Sequence, residues 1–323
     1  MIFFVFVLLY FCGVLFGFMF EKALIYYNVR RLLFFGMIYG LTAMSSLYLY
    51  YSSGHVGYLN KIKLSASEFH RMELINMAIS SKLNESMKVD DCKFLNEKVQ
   101  RTKLNECYEK FGSAFVLVGD SHGMNLHNIL VQSDVFPFIL SFVDGGCRLH
   151  AGLDCVPREY LGSISKDGLL DKVVYHQAGK YFFKEQVREH LHYDKFSPSL
   201  QDTEKVVTGL AELARDIDAT IIILGPFYEL NENPAVYVGR PSVALPIAIK
   251  RNFAKVDELL VELTANAMDL SHIAFNQVFD YSWDIISEDC FIYRDKNHLS
   301  TCGEKLISER IDTGFYREFK SSR

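Results

Sequence analysis

The sequence predicts an α/β domain, a three-layer α/β/α sandwich around a mostly parallel sheet, preceded by two transmembrane helices. Three observations carry this. From residue 111 onward, short apolar runs alternate with amphipathic stretches, the pattern of strands joined by crossover helices. Right-handed crossovers of that kind cover both faces of a sheet. Several of the apolar runs end on glycine, as strands do when a ligand approaches their carboxyl ends. The first 52 residues, in contrast, hold two long apolar stretches free of charge.

Residues 1–20 and 32–52 are each long enough to span a bilayer, which takes about 20 mostly apolar residues. A cleaved signal peptide would open on a basic segment, and no basic residue precedes Lys22. Residues 21–31 between the stretches carry Lys22, Arg30 and Arg31 against Glu21. The positive-inside rule therefore places this loop in the cytoplasm and everything after residue 60 outside. A hydrophobic hairpin buried in protein is the alternative. The expected organisation is a membrane unit (1–52), a linker with an amphipathic helix (53–90) and a catalytic domain (91–323). Met72, Ile75, Ile79 and Leu83 mark the helix by their spacing of three and four.

Within the domain the expected strands are 114–119, 137–143, 172–176, 219–227 and 272–280. The expected helices are 123–132, 179–190, 203–215, 245–268 and 303–310.

The segment Phe115-Val-Leu-Val-Gly-Asp-Ser-His122 places Ser121 on a sharp turn at the end of a buried strand, where a nucleophile would be exposed. Asp295-Lys-Asn-His298 supplies an acid and a base. A serine hydroxyl needs a base to take its proton, and the base needs an acid to hold its tautomer. Ser121, Asp295 and His298 form a complete set for a serine esterase or acyltransferase. Taken singly, Gly-Asp-Ser is also a turn and Asp-x-x-His also a helix cap with a surface histidine. Asp120 is expected to shape the turn and His122 to position the loop or touch substrate. His127, His150 and His176 read as surface or structural groups. Phe227, Tyr228 and Trp283 are open between core packing and stacking on a sugar.

Six of the seven cysteines form three sequence-local pairs, Cys92 with Cys107, Cys147 with Cys155, and Cys290 with Cys302. An even set suits disulfides in an oxidising compartment, and no Cys-x-x-Cys spacing suggests zinc. The pairing is drawn from proximity alone. The last pair would close a loop around Asp295 and His298. A net charge of -5, with no strongly basic stretch, argues against a nucleic-acid partner and suits a neutral sugar or hydroxylated polymer.

Together, Gly119-Asp120-Ser121-His122 and the Asp-x-x-His segment followed by Leu299-Ser300 resemble the SGNH/GDSL hydrolase superfamily. More narrowly, they resemble the extracytoplasmic SGNH domain fused to the membrane acyltransferase-3 proteins that O-acetylate bacterial surface polysaccharides. The resemblance covers roughly residues 85–315, and the two apolar segments match the same arrangement. It implies Ser121 as nucleophile, His298 as base and Asp295 as orienter. It also implies an oxyanion hole from the N–H of Ser121 and that of Gly145 or Gly146 in Asp144-Gly145-Gly146. Most members add an asparagine after the third conserved strand. This chain departs there, reading Leu224-Gly225-Pro226-Phe227-Tyr228, with Asn231 and Asn233 only later.

The expected function is transfer of an acetyl group to hydroxyls of a cell-envelope polysaccharide. The alternatives are a membrane-tethered carbohydrate esterase and a noncatalytic glycan-binding subunit. No bound cofactor or metal is expected. Acetyl-CoA would serve as an indirect donor through a separate multi-span acyltransferase, and the expected location is the bacterial inner membrane with the domain in the periplasm.

Overall fold

The computed structural model describes residues 66–80, 92–133, 135–148, 156–170, 172–184, 192–238, 244–279, 284–287 and 289–311. The expected spans 1–20 and 32–52 lie outside these residues, as do Cys12, His150, Cys155 and Trp283. Among the described residues no helix is long and apolar enough to cross a membrane. The chain from Ser67 onward forms one compact unit.

After a helix α1 (Ala66–Ser80) come β1 (Lys93–Leu95), α2 (Arg101–Phe111), β2 (Phe115–Gly119), α3 (Ser121–Gln132), β3 (Ile139–Val143), α4 (Arg158–Lys166) and β4 (Lys172–His176). The second half holds α5 (Leu200–Ile217), β5 (Thr220–Leu224), α6 (Ile247–Thr264), β6 (Leu270–Ile273), α7 (Phe275–Val278), a hairpin of β7 (Ile286–Ser287) and β8 (Cys290–Phe291), and α8 (Thr301–Ser308). Two 3-10 turns, Gly179–Phe182 and Pro234–Tyr237, follow β4 and β5. The first six strands form one sheet in the order β1-β3-β2-β4-β5-β6, and every pairing in it is parallel.

The strand order decides where the helices go. The crossover from β2 to β3 runs towards one edge of the sheet, and those from β3 to β4, β4 to β5 and β5 to β6 run towards the other. Right-handed connections therefore put α3 on one face and α4, α5 and α6 on the opposite one. Helix α8 packs on α3, whereas α5 packs on both α4 and α6. Burial on both faces explains why β2 reads as an unbroken apolar run and β3 as one broken only by Ser141, with every residue of each buried.

Several expected boundaries move. The apolar run after β6 is not a continued strand: residues 275–278 turn into α7, whose first N–H group is capped by Gln277 Oε1 accepting from Ala274 N. The predicted helix 179–190 is a single 3-10 turn over its first four residues, and 185–190 lie outside the described residues. Helices α2 and α4 and strand β1 are additions. Strand β1 is short and only partly buried, so its pattern is weak. In α1 the buried residues are Met72, Leu74, Ile75 and Ala78, while Ile79, expected on the apolar face, is 49% exposed.

Two of the expected disulfides are present, Cys92–Cys107 and Cys290–Cys302, with Cα atoms 5.8 Å and 5.9 Å apart. Cys147 is also disulfide-bonded.

Candidate active site

Strand β2 ends on a glycine because nothing larger fits. A Cβ at Gly119 would lie 2.0 Å from the carbonyl oxygen of His176 on the neighbouring β4. The chain then turns sharply, and Asp120 caps α3. Its Oδ1 accepts the N–H of His122 at 2.8 Å and its Oδ2 that of Ala178 at 3.0 Å. The carboxylate thus ties the serine turn to the end of β4. Burial pushes its affinity for a proton up, and the two N–H donors offset part of this. Ser121 follows as the first residue of α3, where unpaired N–H groups and the helix dipole favour negative charge.

His298 arrives from the loop between β8 and α8. Its Nε2 lies 2.8 Å from Ser121 Oγ, and its Nδ1 lies 3.0 Å and 2.9 Å from the two carboxylate oxygens of Asp295. An ionised carboxylate only accepts, so Nδ1 carries the proton and Nε2 is left to accept from the serine hydroxyl. Asp295 Oδ1 also accepts the N–H groups of Asn297 and His298, at 3.0 Å and 2.9 Å, and Arg294 Nη2 donates to Oδ2 at 3.1 Å. Burial works to raise the Asp295 carboxyl, but His298, the Asn297 N–H and Arg294 together outweigh it and hold the group well below the ordinary carboxylate range.

The loop itself is fastened at several points. The Cys290–Cys302 bridge closes it. Leu230 N donates to Lys296 O at 2.6 Å, and Tyr293 OH donates to Tyr228 O at 3.0 Å, joining it to the segment after β5. Ser300 caps α8 by accepting the N–H of Gly303.

Gly145 and Gly146 lie in the turn after β3, which is pulled towards the serine by the bond from Asp144 N to Gly119 O at 3.1 Å. Gly146 has a φ of +82°, a conformation that favours glycine. Open space surrounds the Cβ positions of both, so their backbone is accessible to a ligand.

The strand beside β2, on the side away from β3, is β4, not β5, so the segment next to the serine turn on that side is His176-Gln177-Ala178, and Leu224–Tyr228 follows a strand further out. Gln177 is buried, its Oε1 accepts from Tyr175 OH at 2.6 Å, and its Nε2 has no hydrogen-bond partner among the described residues. Asn231 is used structurally, accepting from Tyr193 N and donating to Asp194.

His122 is fully buried and stacks on Phe227 with ring centroids 4.4 Å apart. Enclosure removes the expectation that it touches substrate, and it removes Phe227 as a sugar platform as well. Burial, with the Lys180 cation acting in the same direction, holds His122 neutral. Its Nε2 is 3.8 Å from Glu229 Oε1, too far for a hydrogen bond, and neutrality rules out an ion pair. Glu229 is equally buried. It accepts from Tyr193 OH and from the N–H of Lys180, and burial raises its carboxyl to about 7. His127 is structural, paired with Ser141 Oγ at 2.8 Å, and His176 lies 3.2 Å from Leu224 O. Tyr228 OH accepts from Asn276 at 2.7 Å. Among the described residues no group of three or more His, Cys, Asp or Glu side chains is placed to hold a metal ion.

A parallel sheet with a capped serine turn at its carboxyl edge, and a histidine and aspartate delivered from the C-terminal loop, defines an SGNH-type hydrolase-like domain. The model of the SGNH domain fused to AT3 domains matches residues 91–313, and the chain belongs to that family. No curated protein matches the chain. Similar solved structures include a Slackia heliotrinireducens protein provisionally described as an SGNH hydrolase, at 16% identity and a TM-score of 0.35, over 61% of this chain and 95% of that one. Another is an acetylxylan esterase from Geobacillus stearothermophilus, at 12% identity and a TM-score of 0.33, over 64% of this chain and 94% of that one. Likenesses at this level carry no inference about activity.

Proposed function

We propose that the domain is a serine O-acyltransferase that passes an acetyl group through Ser121 to a hydroxyl of a cell-envelope polysaccharide. The observation that carries this reading is the hydrogen-bonded series Ser121 Oγ, His298 Nε2, His298 Nδ1, Asp295. In the first half-reaction Ser121 Oγ attacks the acyl carbonyl while His298 Nε2 takes its proton. The proton then goes to the departing group, leaving an ester on Ser121. In the second, His298 takes a proton from a sugar hydroxyl, whose oxygen attacks that ester and restores the free serine. The oxyanion of each step would be met by the N–H of Ser121 and that of Gly145 or Gly146, each such donor being worth about 3–4 kcal/mol. Asp295 holds the tautomer and stabilises the imidazolium.

The family supports an extracytoplasmic position, since its members are joined to AT3 domains, and the disulfides fit an oxidising periplasm. In this reading residues 1–20 and 32–52 anchor the chain in the inner membrane. A separate multi-span acyltransferase carries acetyl from cytoplasmic acetyl-CoA, and the domain itself needs no bound cofactor. With water as acceptor, the same residues would make a carbohydrate esterase.

The test is incubation of the full chain with a chromogenic acetyl ester, with and without a glycan acceptor, following turnover and the mass of Ser121. An acetyl adduct lost in Ser121→Ala and in His298→Ala, with turnover stimulated by glycan, is the expected result. Turnover indifferent to glycan selects the esterase. Absence of both adduct and turnover, even when the chain is coexpressed with a membrane acyl donor, overturns the catalytic reading.

A further inference from the structure

A second polar chain runs beneath the first. Asn125 lies four residues after Ser121, one turn further along the same face of α3. Its side chain meets the backbone next to His298 from both sides: Leu299 N donates to Asn125 Oδ1, and Asn125 Nδ2 donates to Leu299 O, each at 3.4 Å. The same Nδ2 donates to Glu304 Oε1 at 2.5 Å. Asn128, a further turn along α3, donates to both oxygens of Glu304 at 3.0 Å and 3.1 Å. Glu304 is 4% exposed, and Asn125 is fully buried.

The chemistry of Glu304 gives this arrangement a direction. A side-chain amide can bind in two orientations related by a flip, and an isolated Asn125 could offer Leu299 either end. Burial raises the Glu304 carboxyl to about 7; above that pH it is ionised and only accepts, so it draws Nδ2 towards itself and leaves Oδ1 for the Leu299 N–H. The peptide that follows His298 is thereby fixed one helical turn below Ser121. A buried carboxylate is costly unless its oxygens are occupied, and its retention here suits a group that sets one arrangement over others.

From this geometry we propose that Asn125 is a positioning residue for the Ser121–His298 contact and that Glu304 orients it, with Asn128 serving only to satisfy the carboxylate. The inference rests on the acyl-transfer reading for its kinetic consequence, but not for its structural one. It makes a distinction that simple helix packing does not. Asn125 and Asn128 both bind Glu304 and both join α3 to α8, yet only Asn125 touches the backbone beside the histidine.

The test compares Asn125→Asp, Asn128→Ala, Glu304→Gln and the double variant Asn125→Asp/Glu304→Gln in the full chain. Two readouts are taken, acetyl-ester kinetics and solvent exchange of the His298 Nδ1 proton in protein carrying 15N-labelled histidine. Assayed above pH 7, where Glu304 is ionised, Asn125→Asp sets two carboxylates against each other. It is expected to lower kcat at least tenfold with KM within about twofold, and to speed the exchange by a similar factor. In the double variant a glutamine N–H faces the new aspartate, so both readouts should recover most of the loss. Asn128→Ala should lower the melting temperature and leave kcat and exchange within twofold of wild type. The proposal is overturned if Asn128→Ala and Asn125→Asp act alike on either readout, or if the double variant is no better than Asn125→Asp. Should the wild type form no acyl adduct, the functional reading fails by itself, and the exchange rates still decide the positioning role.

Discussion

Replacing Glu229 with glutamine should change how stability depends on pH, and the structure supplies the size of the change. Glu229 is wholly buried behind His122, and burial raises its carboxyl from the ordinary 4.5 to about 7. Between those values the folded protein keeps a proton that the unfolded chain has lost. The contribution of this group is therefore fully present below pH 4.5, falls as pH rises to 7, and is flat beyond. A displacement of that size corresponds to about 3 kcal/mol. Glu304, also raised to about 7, acts in the same sense. His127 and His176, lowered to about 4 by burial, act in the opposite sense, gaining stability as pH rises from 4 to 6.5. The wild-type profile is thus a sum of opposing slopes, and only the difference between variant and wild type isolates Glu229. Glutamine is nearly isosteric and cannot ionise, so Glu229→Gln should match or slightly trail the wild type at pH 4.5. Relative to wild type it should gain about 3 kcal/mol by pH 7.5, roughly 6–12 °C in melting temperature for a domain of this size. Melting curves followed by near-ultraviolet circular dichroism from pH 4.5 to 8 measure this. A difference constant across that range, or one that turns against the variant as pH rises, would refute the argument that burial controls this carboxyl.

Asp295→Asn should lower kcat by about four orders of magnitude, because an amide N–H facing Nδ1 leaves the proton on Nε2, where it cannot accept from Ser121; single-turnover acylation reads this directly. Arg294→Met removes a cation that helps hold the Asp295 carboxyl below the ordinary carboxylate range, so that carboxyl should titrate at higher pH, read from its side-chain carbonyl shift in an acid NMR titration. Replacing both Cys290 and Cys302 by serine opens a loop of sequence separation 12 and should cost about 2–3 kcal/mol in urea unfolding. In the same variant kcat should fall more than KM rises, since the bridge holds the segment bearing the base.

Ser121, His298 and Asp295, which the fold joins by hydrogen bonds, are legible in the chain because each stands out by local chemistry. An apolar run ending at Gly119, a serine turn and an Asp-x-x-His segment are patterns that neighbouring residues create among themselves. The parallel sheet is legible for a related reason: strands buried on both faces are apolar except where a polar side chain is satisfied, as β2 is throughout and β3 is apart from Ser141, paired with His127. What followed from proximity in the chain also held for Cys92–Cys107 and Cys290–Cys302, since short loops close readily.

Only tertiary structure decided the remainder, because it depends on which segments lie side by side. Strand order placed His176-Gln177-Ala178 beside the serine turn and Leu224–Tyr228 a strand further out, as counting strands along the chain does not reveal that β4 borders β2. The enclosure of His122 under Phe227 and the raised carboxyl of Glu229 are both products of packing. Asn125 and Glu304 are 179 residues apart and look like ordinary helix residues in the sequence. The spacing of Ser121, Asn125 and Asn128 does mark one face of a helix, but the partner that gives that face its meaning arrives only when α8 folds against α3. Sequence thus marked Ser121, His298 and Asp295 and determined the class of fold, whereas the arrangement holding those side chains in register came from contacts between residues distant in the chain, set by the topology of the sheet.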